Sequence, residues 1–339
     1  MTRFARIGSV IVASIVVAVS LPIGGCSKAK DPWADVKGGD LKVLVSFTPL
    51  YCFTTAVAGE DAKVQTLLDT NGPHGHQVSP NEVQLATGAN LFLINGLALD
   101  EFMTKIANAS GNKNIKIVEV AETLPEKKRL RMGDADHDHA KGHEKDKEKD
   151  KAKTKDHDHD HGEWDPHAWL GIEQAILMVE AIRDSFKEAD PRHAANYDRR
   201  ASEYVEKLKT LQDDGKKLLA DKKNRKLIAM HDSLGYFCKS FDLEMVDSIM
   251  PRPGVEADLK KLTELAEECK KENVRILAVE PQYNKDKAKT LRDNLKSTNF
   301  DIAIVEIDPL ETGPHGELGP DYYLKVMRTN LENLAKHMQ

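Results

Sequence analysis

Cysteine is scarce in this chain. It holds four among 339 residues, Cys26, Cys52, Cys238 and Cys269. None forms a CxxC pair, which excludes a cysteine-rich zinc module and a thioredoxin-like redox site. No HExxH occurs, so the helical metalloprotease signature is missing. There is no basic patch with interleaved aromatics, and the net charge of -6 is spread along the chain, which argues against a nucleic-acid partner. No fixed short repeat is visible, so a solenoid is excluded. A long apolar run is also lacking. The nearest, Ile7 to Leu21, is too short and too soon interrupted for an ordinary membrane span.

That short run is instead a targeting segment. Arg3 and Arg6 supply its positive start, and Leu21-Pro22-Ile23-Gly24-Gly25-Cys26 follows it. Small residues before a cysteine resemble the bacterial lipobox, which implies a signal peptide over residues 1–25, cleavage before Cys26 and lipid on its thiol. The alternative is an ordinary signal peptide that leaves Cys26 free. Both place the mature protein outside the cytoplasm, in the periplasm or at the cell surface. Ser27 leaves inner or outer membrane retention open. Residues 26–40 read as a tether, with charge, Gly38-Gly39 and no apolar period. A disulfide of Cys238 with Cys269 or Cys52 stays open, because connectivity does not follow from spacing.

The chain is rich in histidine at one place. Six of its thirteen histidines, His137, His139, His143, His157, His159 and His161, lie in a low-complexity run of His, Asp and Lys that ends at Glu163-Trp164-Asp165-Pro166-His167. Imidazole is the side chain most used for borderline transition metals. The composition predicts a disordered loop over residues 134–163 that captures ions without fixed geometry. Its Lys/Glu/Asp core alone would equally make a solvated charge run.

The flanking sequence reads as α/β. Apolar β-branched runs predict strands at Leu41 to Phe47, Ala62 to Leu68, Asn90 to Ile94 and Ile115 to Val120. A second set is predicted at Lys226 to Met230, Glu244 to Ile249, Arg275 to Val279 and Ile302 to Ile307. Helices are predicted between them, one of which starts at Ser79-Pro80-Asn81-Glu82, with a capping serine, proline at the first helical position and an acid at the third. Ile172 to Lys187 has helical spacing, broken by Asp190-Pro191. A longer pattern then runs from Arg192 to about Asp221, with Tyr197, Tyr204, Leu208, Leu211 and Leu218 on one face. Such a helix spans about 40 Å at 1.5 Å per residue, enough to bridge two lobes, and packing as a helical hairpin is the alternative.

His74, His231 and Asp308 each fall just past the carboxyl end of a predicted strand, where open α/β sheets bind ligands. His167 stands at a helix entry with Pro166 before it. Three imidazoles and a carboxylate suit Zn²⁺, which takes nitrogen and oxygen donors in tetrahedral array. Taken singly, each histidine is as well explained as an exposed or hydrogen-bonded loop residue, and Asp308 as a turn residue.

The motifs carry a resemblance. Pro73-His74, Asn95-Gly96-Leu97, Asp165-Pro166-His167-Ala168-Trp169-Leu170, His231-Asp232-Ser233-Leu234-Gly235-Tyr236-Phe237, Glu280-Pro281-Gln282 and Asp308-Pro309-Leu310 resemble, in order, the zinc/manganese solute-binding proteins of bacterial ABC importers (cluster A-I), zinc type. The resemblance covers the chain from about Leu41 to Gln339. It implies two lobes, each a mostly parallel sheet flanked by helices, joined by one long rigid helix, with a metal in the cleft between them. The lobes would be residues 41–190 and 223–339, with the helix at 191–222.

Carried over by position, the resemblance implies His74, His167, His231 and Asp308 as metal ligands. Manganese members have Glu where this chain has His231, and imidazole suits zinc better than the harder Mn²⁺. His76 stands where relatives often have an aromatic, and it could compete for the metal or hydrogen-bond behind a ligand. Glu280 is a weaker candidate for the same supporting role. The implied function is capture of Zn²⁺ as cargo and delivery to an ABC permease, with the ATPase as an indirect partner, by a monomer held to the membrane through its lipid. The alternatives are a manganese-binding importer component, a metal-buffering surface adhesin, or a secreted zinc hydrolase with Glu280 as its base.

Overall fold

The computed structural model describes residues 32–36, 39–132, 163–250, 254–255, 257–314 and 316–339. The signal segment, Cys26 and the six histidines of the acidic loop lie outside the described residues.

The first half of the chain builds a parallel sheet from β1 (Leu41–Val45), β2 (Ala62–Thr66), β3 (Leu91–Ile94) and β4 (Lys116–Glu119), in the order β2-β1-β3-β4. Val43 faces Val64 on one side and Leu91 on the other. Three helices alternate with these strands: α1 (Thr48–Ala58), α2 (Pro80–Thr87) and α3 (Phe102–Ser110). The second half repeats the plan with β5 (Lys226–Ala229), β6 (Glu244–Ser248), β7 (Ile276–Val279) and β8 (Ala303–Glu306), in the order β6-β5-β7-β8. Its helices are α6 (Gly235–Ser240), α7 (Leu259–Lys271), α8 (Asp286–Ser297) and α9 (Tyr322–His337). All strand pairings in both sheets are parallel, and the central strands β1, β3, β5 and β7 have the two-sided burial that near-continuous apolar strands require, while the edge strands are only partly buried.

Alternation along the strands of the second sheet divides the core. Leu227, Ala229, Ile276 and Ala278 pack into a large core that also contains the first sheet, whereas Ile228, Met230, Leu277 and Val279 face a smaller core with α7 and α8. The two halves therefore share one hydrophobic interior, and only the far face of the second sheet has its own.

Between the halves run α4 (Ile172–Ala189) and α5 (Ala194–Leu218). The 25 residues of α5 span about 37 Å. In its first third Arg200 Nε donates to the Val57 carbonyl of α1 at 2.7 Å, and at mid-helix Tyr204 meets Phe53 of α1, ring to ring at 6.1 Å. Near its end a Cβ on Gly215 would stand 2.6 Å from Phe241 and 2.7 Å from Leu331, so only glycine lets α5 lie against the second half there. Phe53 also meets Tyr323 of α9 at 4.7 Å.

Three expectations shift. Residues 32–36, expected in the tether, are packed: Trp33 is buried and its indole donates to the Leu85 carbonyl at 2.9 Å. Gly88 makes room for it, because a Cβ there would lie 2.4 Å from Trp33. The helix α3 was not evident from the sequence, since it starts directly after the irregular turn at Leu97 and Ala98, both with positive φ. Cys52, Cys238 and Cys269 are free and buried, so the open disulfide pairings are not made. Burial pushes the thiols of Cys52 and Cys269 up to about 12 and that of Cys238 higher still.

Candidate metal centre

Four side chains converge at the carboxyl ends of the strands. His74 comes from the loop after β2, His167 from the segment entering α4, His231 from the end of β5 and Glu311 from the loop after β8. Each offers one donor atom, and the four atoms all lie within 4.8 Å of one another. Glu311 Oε1 stands 3.1 Å from His74 Nε2, 3.5 Å from His167 Nε2 and 3.4 Å from His231 Nε2. His167 and His231 Nε2 are 3.4 Å apart. Among the described residues this is the one group of His, Cys, Asp and Glu with such convergence.

The other face of two rings is fixed. Asp165 Oδ1 lies 2.7 Å from His167 Nδ1 and also accepts the His167 backbone N–H at 2.9 Å. Glu280 Oε1 lies 2.6 Å from His231 Nδ1. A carboxylate on Nδ1 holds the proton there, leaving the Nε2 lone pair for a metal and making it more basic. In the sequence Asp165 is only part of its motif; its contact with His167 follows from the turn that brings residue 165 back on residue 167. Asn95, in the buried turn after β3, donates to the Pro166 carbonyl at 3.0 Å and so anchors the segment carrying His167. Its own turn is held by Asp100, whose carboxylate accepts the backbone N–H groups of Asn95 at 2.6 Å and Gly96 at 2.9 Å.

Charge in the cluster is coupled. Burial opposes charging His167, but the Asp165 carboxylate and then Glu311 outweigh it and hold the imidazole up to about 9. Burial likewise opposes charging His231, yet Glu280 and Glu311 raise it well above its ordinary value. Glu311, although buried, is held well below the carboxylate range by the three imidazoles. Folding thus favours an anionic Glu311 beside imidazoles that hold protons readily, and a cation bound there would take the place of those protons.

Asp308 does not join this group. Its Oδ1 accepts the Leu310 backbone N–H at 2.7 Å, closing a turn in which Leu310 has φ 64°. Its backbone is clamped by Asn330 of α9, through 2.9 Å and 2.7 Å hydrogen bonds. Burial pushes its carboxyl up to about 6. Asp308 thus shapes the loop, and the carboxylate delivered to the cluster is Glu311, three residues on. His76 also stays out: its Nε2 lies 2.8 Å from Glu82 Oε1 and its ring packs on Phe102 at 4.8 Å. Glu82 in turn accepts the Ser79 N–H at 2.6 Å, so the start of α2 turns His76 away. Glu280 stands behind His231.

Two parallel α/β sheets with a histidine and carboxylate cluster at their strand ends define a two-sheet α/β protein with a candidate metal centre. A family model described as zinc-uptake complex component A, periplasmic, matches residues 43–337, and the chain belongs to that family. It is 30% identical over 299 residues to the zinc-binding protein AdcA of Streptococcus pyogenes, across 87% of this chain and 56% of AdcA. The chain thus spans little more than half the length of the AdcA relatives it matches. It is 23% identical over 324 residues to the manganese-binding lipoprotein MntA of Halalkalibacterium halodurans, across 95% of this chain and 96% of MntA. A ZnuA crystal structure superposes with a TM-score of 0.70 at 19% identity, covering 88% of this chain and all of that one. A Zn(II)-bound AdcAII variant of Streptococcus pneumoniae superposes at 0.71 and 22% identity, covering 89% and 100%. These superpositions establish the shared fold.

Proposed function

We propose that this protein captures Zn²⁺ outside the cytoplasm and hands it to the permease of an ABC importer, with His74, His167, His231 and Glu311 as the metal ligands. The observation that carries this reading is the spacing of the four donor atoms. A tetrahedron whose corners lie ~2.0–2.1 Å from a central zinc has edges of roughly 3.3–3.4 Å. Of the six donor separations, the three from Glu311 Oε1 and the one between His167 and His231 run from 3.1 to 3.5 Å, close to those edges, and all six lie within 4.8 Å. Three imidazoles and one carboxylate are a donor set for zinc rather than for Mn²⁺, which prefers more oxygen. The full-length similarity to MntA is what favours manganese as a second reading. Hydrolysis is not favoured: the carboxylates of Asp165 and Glu280, which touch the clustered histidines, are each engaged by a ring Nδ1.

The division of labour along the chain follows. Residues 41–190 and 223–339 act as lobes, and α5 is the bridge between them, a reading supported by the bonds of Arg200 to Val57 and Asp61 in its first third and by its packing on Phe241 and Leu331 near its end. The metal sits where loops from both lobes meet, so moving one lobe on the other would pull Glu311 and His231 from His74 and His167 and release the ion. Residues 1–25 direct export, Cys26 carries the lipid anchor, and the six loop histidines collect zinc loosely. The relative named zinc-binding lipoprotein AdcA of Streptococcus pneumoniae supports the anchor.

The test is calorimetric titration of the protein starting at Ser27 with Zn²⁺ and Mn²⁺, beside a form lacking residues 134–162 and a His231→Ala form. One tight zinc site that survives loop deletion and is lost in His231→Ala is expected. Tight binding that vanishes with the loop and ignores His231 would place the metal in the loop and overturn the assignment.

A further inference from the structure

Gln282, on the loop after β7, lies between two carboxylates of the second lobe. Its Nε2 donates to Glu280 Oε2 at 2.7 Å and to Glu311 Oε2 at 3.5 Å. Its Oε1 is buried and has no partner. An unpaired buried carbonyl costs stability, so an amide in that position needs a reason. The orientation supplies one: both acceptors are carboxylates, and turning the amide over would set its oxygen against them. The amide is therefore held donor-inward at the expense of its own acceptor. Its two contacts reach the oxygens that the cluster does not use, since Glu280 Oε1 is on His231 and Glu311 Oε1 faces the three imidazoles.

We propose that Gln282 is a positioning residue that sets metal selectivity by keeping Glu311 monodentate. With Oε2 engaged by the amide, Glu311 offers the ion a single oxygen, and the site stays four-coordinate. Four-coordinate N₃O geometry suits zinc, while Mn²⁺ gains from every extra oxygen. Without the amide, Glu311 can rotate both oxygens onto the ion, and Glu280, no longer held through Oε2, is freer to leave His231. This inference rests on the four-ligand reading above.

The experiment uses Gln282→Met, which keeps the side chain's length and removes its donors, in the protein starting at Ser27. Two readouts are taken: the ratio of zinc to manganese affinity by competition with a chelator, and the visible d–d absorption of the Co²⁺-loaded protein, intense for four-coordinate and weak for five- or six-coordinate cobalt. The unaltered protein is expected to give the intense spectrum. Gln282→Met is expected to weaken that absorption and to lower zinc affinity about 10-fold, within the usual range for residues behind a ligand, with manganese affinity unchanged or raised. An unchanged cobalt spectrum, or equal weakening of both metals, would overturn the proposal, the latter marking Gln282 as merely structural. Far-ultraviolet circular dichroism of metal-free Gln282→Met checks that it folds, and Gln282→Asn, a shorter amide donor, provides a second variant if it does not. His231→Ala separates the two levels: if it keeps the cobalt spectrum, the four-ligand site itself is wrong.

Discussion

Trp169 Nε1 donates to the Pro309 carbonyl oxygen at 2.7 Å, so the residue two places after His167 holds the residue two places before Glu311. The contact is reinforced at both ends. The Trp169 ring packs edge-on against Phe47 at 4.8 Å, and its carbonyl accepts the Tyr323 hydroxyl at 2.6 Å. Nearby, the Gly313 N–H donates to the Asp69 carbonyl at 2.6 Å, tying the loop that carries Glu311 to the one that carries His74. These bonds cross between the two sheets and hold the donor atoms together.

Trp169→Phe keeps an aromatic ring in the core but leaves the Pro309 carbonyl without its donor. The expected cost is about 1–3 kcal/mol of stability, with zinc affinity lowered about 10-fold because Glu311 loses its fixed approach. Urea unfolding and chelator competition measure the two. A variant with normal affinity would mean that the Glu311 loop is positioned without this bond.

Glu311→Ala and Asp308→Asn separate the two carboxylates that follow β8. Loss of a ligand is expected to cost Glu311→Ala at least 100-fold in zinc affinity. Asn at 308 still accepts the Leu310 N–H, so Asp308→Asn should stay within a few-fold of the unaltered protein. The reverse pattern would restore Asp308 as the ligand.

Three of the four clustered side chains are legible in the sequence because His74, His167 and His231 sit at a strand end or helix entry, a placement that apolar runs and prolines make visible. Glu311 was hidden because it lies beyond a turn made by Leu310 at positive φ, a conformation the letters Asp-Pro-Leu-Glu do not announce. Asp308 reads as a ligand because it ends a strand, but the same short carboxylate serves equally well as a turn acceptor, which is where the fold places it. The central strands are legible because burial on both faces demands unbroken apolar runs, as in Leu91–Ile94 and Ile276–Val279. The helix α3 is not, since nine residues beginning at an irregular turn give little periodicity.

Asp190 closes α4 and meets three donors: Arg192 Nε at 2.8 Å, His193 Nδ1 at 2.6 Å and the Tyr197 hydroxyl at 3.2 Å. Burial raises its carboxyl, but these hydrogen bonds, His193 first, outweigh it and leave it below the usual range. A carboxylate depressed by folding contributes stability above its unfolded pKa of about 3.9 and loses it as the pH falls through the lower folded value. Asp190→Asn should therefore melt about 2–4 °C lower at pH 7 and converge on the unaltered protein as the pH drops below about 4. A gap that stays constant down to pH 3 would show that charge is not the cause.

The three thiols give a test of the core. Cys52, Cys238 and Cys269 are buried and free, with ionisation opposed by burial. In the protein starting at Ser27, a thiol reagent such as dithionitrobenzoate should react with none of the three in the native state and with all three in denaturant. Fast reaction of one native thiol, or fewer than three after unfolding, would contradict the packing or the absence of a disulfide.

The most direct measurement is a crystal structure of the zinc-loaded protein starting at Ser27, with anomalous data on both sides of the zinc absorption edge. The expected result is one strong peak about 2.0–2.2 Å from the Nε2 atoms of His74, His167 and His231 and from Glu311 Oε1, with Asp308 turned to the Leu310 N–H. A peak ligated by Asp308 or His76 in place of Glu311, or no peak at this cluster, would contradict the account.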